Sequence, residues 1–181
     1  MKAASIAAFA ALMSIAQLAQ AEDAAMSISI AVPALDPGAE RSVVAFDLTS
    51  HFHVILTNTS DKPQRIVTES NSWGGHALSF ELTDDSGKKF TARRVEPDYG
   101  KNMLHWWILN PQESMVVDVY FADSDRWQNF PHSVGYGNSQ TVTMRAVFEV
   151  KSDEVPASAG LWVGHIVSPP AKYVFYNRTS K

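Results

Sequence analysis

Short segments in which apolar and polar residues alternate recur from Met26 to the C-terminal end, and no window past residue 25 carries a sustained stripe at helical spacing. A period of two sends successive side chains to opposite faces of a strand, so an alternating segment has one face in a core and the other in water. His51 to Thr57 sets Phe52, Val54 and Leu56 against His51, His53, Ile55 and Thr57. Leu78, Phe80 and Leu82 alternate with Ser79, Glu81 and Thr83, and Asp84-Asp85-Ser86-Gly87 turns the chain back through Phe90 and Ala92. Both arms and the turn therefore specify a hairpin. Met115, Val117, Val119 and Phe121 alternate with Val116, Asp118 and Tyr120, and Thr141 to Lys151 is the longest run, with Val142, Met144, Ala146, Phe148 and Val150 on its dry side and Val147 on the wetter one.

Weaker segments fill the intervals. Met26 to Val32 reads as an edge strand ahead of Pro33, and Val43 to Leu48, Gln64 to Thr68, Trp162 to Val167 and Lys172 to Tyr176 as further strands. Asn71-Ser72-Trp73-Gly74-Gly75 reads as a loop whose glycines are free to take positive φ, and Asp123 to Phe130 as a site for one helical turn. Turn signals fall about every ten residues, and no helix is long enough for a crossover between parallel strands. The expected fold is all-β: an immunoglobulin-like antiparallel β-sandwich of eight or nine strands, one domain over residues 22–181. A barrel is the competing architecture, since it buries alternate residues in the same way.

Ahead of that domain, Met1-Lys2, an apolar stretch from Ala3 to Ala19 and the small-x-small site Ala19-Gln20-Ala21 have the three parts of a cleavable signal peptide. Residues 1–21 are expected to be removed, leaving a periplasmic or secreted bacterial protein; no later run is apolar and long enough for a transmembrane segment. The chain has no cysteine, which excludes thiol catalysis, thiolate metal sites and disulfides. Its 19 acidic and 15 basic residues are spread out, which argues against a nucleic-acid partner.

Candidate chemistry starts with the six histidines. His51 and His53 are two apart on one strand, so their side chains point the same way from Cα atoms about 6.5 to 7 Å apart. Neutral imidazole suits copper or zinc, and such a pair shares an ion when a third ligand approaches. His105 with nearby Met103, or His76, His132 or His165, are the candidates for that ligand. The plainer account puts both histidines on a solvated strand face with no cofactor. Hydrolytic chemistry has less support: there is no Gly-x-Ser-x-Gly elbow, no His-Glu-x-x-His helix, and the carboxylates Glu69, Glu81, Asp118 and Glu149 fall where alternation already predicts solvated side chains.

The five tryptophans are the stronger oddity. Trp73, Trp106, Trp107 and Trp127 lie in or beside expected loops and strand ends, where an aromatic ring suits peptide or carbohydrate contacts. Trp106 and Trp107 are adjacent, so on a strand they face opposite sides and a core takes only one of them directly. Loop coverage is the plain alternative to a binding surface.

The strand ending in Leu56-Thr57-Asn58-Thr59-Ser60-Asp61-Lys62-Pro63, the hairpin from Leu78 to Phe90, the turn Asn110-Pro111-Gln112-Glu113-Ser114 and the late strand Arg145-Ala146-Val147-Phe148-Glu149 resemble bacterial exported immunoglobulin-like modules. These include proteinase-inhibitor-like domains and accessory domains beside secreted proteases. The likeness spans Val54 to Phe175, with Gln112 standing where the turn usually has glycine. It implies the fold and a bias towards protein binding or inhibition, and it carries over no functional residue. The expectation that results is a non-enzymatic module binding a protein, peptide or glycan, protease inhibition being one version. The alternatives are a copper or zinc protein built on His51 and His53, and a hydrolase whose site forms only in three dimensions.

Overall fold

Each alternating segment that falls among the described residues forms a strand. The computed structural model describes residues 25–33, 43–46, 51–95, 98, 102–121, 126–130 and 137–177. The strands are β1 (Met26–Ala31), β2 (Val43–Phe46), β3 (Phe52–Asn58), β4 (Gln64–Val67), β5 (Leu78–Asp84), β6 (Lys89–Arg94), β7 (Trp106–Leu109), β8 (Ser114–Val119), β9 (Trp127–Gln128), β10 (Ser139–Val150), β11 (Gly164–Val167) and β12 (Ala171–Asn177). A one-turn helix α1 (Ser72–Gly75) precedes β5, and a short 3-10 turn spans Ala157–Ala159. The fold is all-β, and no helix among the described residues is long and apolar enough to cross a membrane.

Three sheets share these strands. The first has the order β1-β3-β8, antiparallel throughout. The largest has the order β2-β12-β10-β5-β6-β9, with β11 pairing the second half of β10 and β2 running parallel to β12. The third is the antiparallel pair β4-β7. Twelve strands among the described residues exceed the eight or nine expected, and β7 and β9 show why. Trp106-Trp107-Ile108-Leu109 does not alternate, and two residues of β9 are too few to show a period.

The inner face of β3 is closed: Phe52, Val54 and Leu56 are 1%, 0% and 0% exposed, and the opposite residues are half-buried. They join one core with Phe80 and Leu82 of β5, Val142, Met144 and Phe148 of β10, and Phe175 of β12. Aromatic rings interlock at one end, with Phe121 edge-on to Phe52 at 5.0 Å, to Phe80 at 5.1 Å and to Trp127 at 5.4 Å. Such edge-to-face pairs set the positive ring edge against the negative ring face.

Four sequence expectations change. Trp127, a candidate for an exposed binding surface, is 2% exposed and belongs to the core. Pairing of β9 with β6 brings it inward, and the Arg94 guanidinium covers its ring at 5.7 Å. It also lies on a strand, in the stretch read as a helical turn; the other parts of that stretch, 123–125, lie outside the described residues, as do residues 1–21 and His132. Val147 is buried because β10 is interior to its sheet, with Ser79 and Val167 on either side. Finally, Asn71 to Gly75 is a helical turn, not a positive-φ loop: the Asn71 side chain accepts from the Gly74 N–H at 3.1 Å as an N-cap. Gly74 is required for close approach, since a Cβ there would lie 2.0 Å from the Thr68 carbonyl oxygen.

Two turns bind themselves together. Oδ1 of Asp84 accepts from the Ser86 hydroxyl at 2.6 Å, the Ser86 N–H at 2.9 Å and the Lys88 N–H at 3.0 Å, which holds its carboxyl below the usual carboxylate range. Before β8, the Asn110 side chain and main-chain N–H donate to Glu113, which lowers that carboxyl too. In the same turn Gln112 takes φ 65, the left-handed conformation that favours glycine.

Opposite outcomes follow for two glycine exchanges. Helix propensity alone makes Gly74→Ala stabilising by about 1 kcal/mol, whereas the Thr68 carbonyl makes it destabilising by about 1–3 kcal/mol, the cost of overpacking. Gln112→Gly relieves a left-handed residue and raises the melting temperature. Thermal unfolding of both variants checks this, and a Gly74→Ala protein that melts higher than wild type contradicts the packing described.

Candidate metal centre

With Phe52, Val54 and Leu56 turned inward, His53 and Ile55 must turn outward, and His51, one residue ahead of β3, continues that row. The neighbouring strand is fixed in the same way. Met115 and Val117 are half-buried and Val119 is buried, so Val116 and Asp118 face out. The antiparallel register then sets Ile55 opposite Val116 and His53 opposite Asp118.

The result is a cluster on the outer face of the three-stranded sheet. Nδ1 of His53 lies 2.7 Å from Oδ1 of Asp118, with the imidazole N–H donating to the carboxylate. The His51 ring is edge-on to His53 at 4.9 Å between centroids and tilted against Tyr120 at 5.1 Å. One ligand atom from each of His51, His53 and Asp118 lies within 4.8 Å of the other two. The site is at the surface but not fully open: side-chain exposure is 28% for His53 and 54% for Asp118.

Two imidazole nitrogens and one carboxylate oxygen, with no sulfur, form a borderline-to-hard donor set of the kind that holds zinc(II) or copper(II). Only one of the three carries a formal charge when the histidines are neutral, so the set would leave a dication partly uncompensated. The contact between His53 and Asp118 also has a second use. A carboxylate holding one ring N–H fixes the tautomer and aims the other nitrogen.

Asp118 was not among the ligands proposed from sequence. Its outward direction was legible from Met115, Val117 and Val119, but its partner is 65 residues away, and register is not encoded in either strand alone. His105, the expected third ligand, lies outside the cluster. It precedes β7, its ring edge-on to Trp107 at 5.8 Å, and its carbonyl accepts from the Thr68 N–H at 3.1 Å. Met103 is exposed, His76 closes the C-terminal end of α1, and His165 is exposed on β11 opposite Glu149.

The tryptophans separate into distinct environments. Trp73 is half-buried and lines an open groove of about 480 Å³ with Arg93, Glu149 and Lys151. Trp106 is half-buried, with the Arg65 guanidinium 5.6 Å from its ring centroid. Trp107 is 57% exposed, on the strand that also carries Ile108 at 54%. No protein-family model matches the chain, and no curated protein compared with it is similar in sequence. The functional reading therefore rests on the chain's own geometry.

An exposed pair of this kind contributes about 0–1 kcal/mol to stability. His53→Ala combined with Asp118→Ala is accordingly expected to unfold in urea within about 1 kcal/mol of wild type. A loss of several kcal/mol would make the cluster part of the framework of the sheet and remove the case for a site.

Proposed function

We propose that this protein is an exported binder of a divalent transition metal, copper(II) or zinc(II), held by His51, His53 and Asp118. The observation that carries the reading is the convergence of three donor atoms within 4.8 Å of one another, from His53 on β3, Asp118 on β8 and His51 just ahead of β3. Export is supported by the signal-peptide pattern of residues 1–21. An immunoglobulin-like sandwich is the finer fold proposed, supported by the shared core between the β1-β3-β8 sheet and the large sheet.

On this reading β3 supplies the imidazole of His53, the residue just ahead of β3 supplies that of His51, and β8 supplies the carboxylate. The strands need no rearrangement to bring the three groups together, which limits the ordering cost of binding. The metal competes with protons for both imidazoles, so affinity falls as the solution is acidified. A site with three protein ligands keeps a position for water or for a group from another molecule.

Titration calorimetry of residues 22–181 with copper(II) and with zinc(II) tests the proposal. One equivalent is expected to bind. His51→Ala with His53→Ala should abolish that event, and Asp118→Asn should weaken it about 10- to 100-fold. Unchanged affinity in the double histidine variant refutes the assignment.

A further inference from the structure

β7 and β8 follow one another across the tight turn at residues 110–113, yet they do not pair. β7 bonds to β4, and β8 bonds to β3. Asn58 holds them apart. Its side chain is fully buried, and Nδ2 donates to the Leu109 carbonyl at 2.8 Å and the Lys62 carbonyl at 2.7 Å. Its main chain accepts from the Gln112 N–H at 2.8 Å and donates to the Glu113 carbonyl at 3.0 Å.

Past this wedge a groove of about 240 Å³ opens beside β8. Residues 115–118 line it together with Val67, Glu69 and Trp107, and the buried Leu78 and Phe148 lie at its base. Trp107 and Val116 are each 57% exposed here. The lining includes the carboxylates of Glu69 and Asp118 and no lysine or arginine, with Arg94 reaching Glu69 as an ion-pair partner.

The main chain along this groove is also open. In an antiparallel sheet, alternate residues send N–H and C=O to one neighbour and then to the other. The bond from the Thr59 N–H to the Ala25 carbonyl turns the odd-numbered residues of β3 towards β1. The bond from the Asn58 N–H to the Glu113 carbonyl turns the even-numbered ones towards β8, and with them Met115, Val117 and Val119 of β8 towards β3. Val116 and Asp118 thus direct N–H and C=O away from β3, where no strand among the described residues pairs with β8. The opposite edge of this sheet is not equivalent, because β1 packs against β10 and β11.

We propose that the groove binds an extended peptide segment as an added strand along β8. A row of outward N–H and C=O groups in strand geometry is matched by another extended backbone, and pockets beside it select alternate side chains. The partner has small apolar residues at alternate positions, to lie against Trp107 and Met115, and a lysine or arginine for the acidic rim. The backbone pairing needs no metal, whereas an ion on the Asp118 carboxylate would compete with the peptide's cation, so the two sites are separated by testing the peptide without metal.

The test uses residues 22–181 in the presence of a chelator and an acetylated, amidated heptapeptide of sequence Lys-Val-Thr-Val-Thr-Val-Lys. Tryptophan fluorescence is expected to report saturable binding below millimolar concentration. Affinity should fall at least tenfold in Trp107→Ala, with N-methylation of alternate peptide amides, and with glutamate in place of lysine. Hydrogen exchange at the Val116 and Asp118 amides should be fast in the free protein and slowed by the peptide. Absence of saturable binding overturns the proposal, as does equal binding of the N-methylated peptide. Protection of both amides in the free monomer assigns the edge to another segment of this chain, and a concentration-dependent dimer lost in Val116→Pro assigns it to a second copy. Either result also overturns it.

Discussion

Burial of one face of β3 is the constraint on which the rest depends. Phe52, Val54 and Leu56 are essentially removed from solvent, and each such side chain contributes about 1.5–3 kcal/mol relative to exposure. A slip of one residue would expose all three and bury His53 and Ile55 in their place. The exposed contact between His53 and Asp118 contributes about 0–1 kcal/mol, too little to set a register. The hydrophobic face therefore decides the alignment, and the polar cluster is its consequence. The same reasoning applies to β8, where Val119 is buried and Asp118 points out.

One strand serves two different surfaces through this arrangement. The side chain of Asp118 joins His51 and His53 on the outer face, while the backbone of Asp118 and Val116 lies along an unpaired edge. Edges of this kind are normally shortened, covered or charged, because an open row of backbone groups invites another chain. Asn58 keeps this edge from closing onto β7: with its buried amide committed to Leu109 and Lys62, the two strands leave their turn in different sheets. A peptide added there would run beside the side chains of His53 and Asp118. The proposed metal site and the proposed peptide edge thus share one residue, Asp118.

Much of this was legible in the residues. Phe52, Val54 and Leu56 gave the inner face of β3, and hence the common direction of His51 and His53, without any knowledge of tertiary structure. The hairpin of β5 and β6 was legible because alternation and turn chemistry agreed at Asp84 to Gly87. Asp118 was legible as an outward residue but not as a neighbour of His53, since pairing across 65 residues depends on how whole faces match. Trp127 misled because its segment is short and polar on both sides, and only its pairing with β6 draws it inward. Gly74 misled for another reason. Two adjacent glycines suggest freedom of φ, whereas one of them is there because the Thr68 carbonyl leaves no room for a side chain.

The register of β3 against β8 is open to direct observation. Residues in non-hydrogen-bonded antiparallel pairs bring their Cα atoms to about 4.5 Å, close enough for strong Hα–Hα nuclear Overhauser effects. In the isotope-labelled protein, such cross-peaks are predicted between His53 and Asp118 and between Ile55 and Val116. Cross-peaks linking His53 to Val117 or Val119 instead would show a shifted sheet, and would remove both the donor cluster and the open edge built upon it.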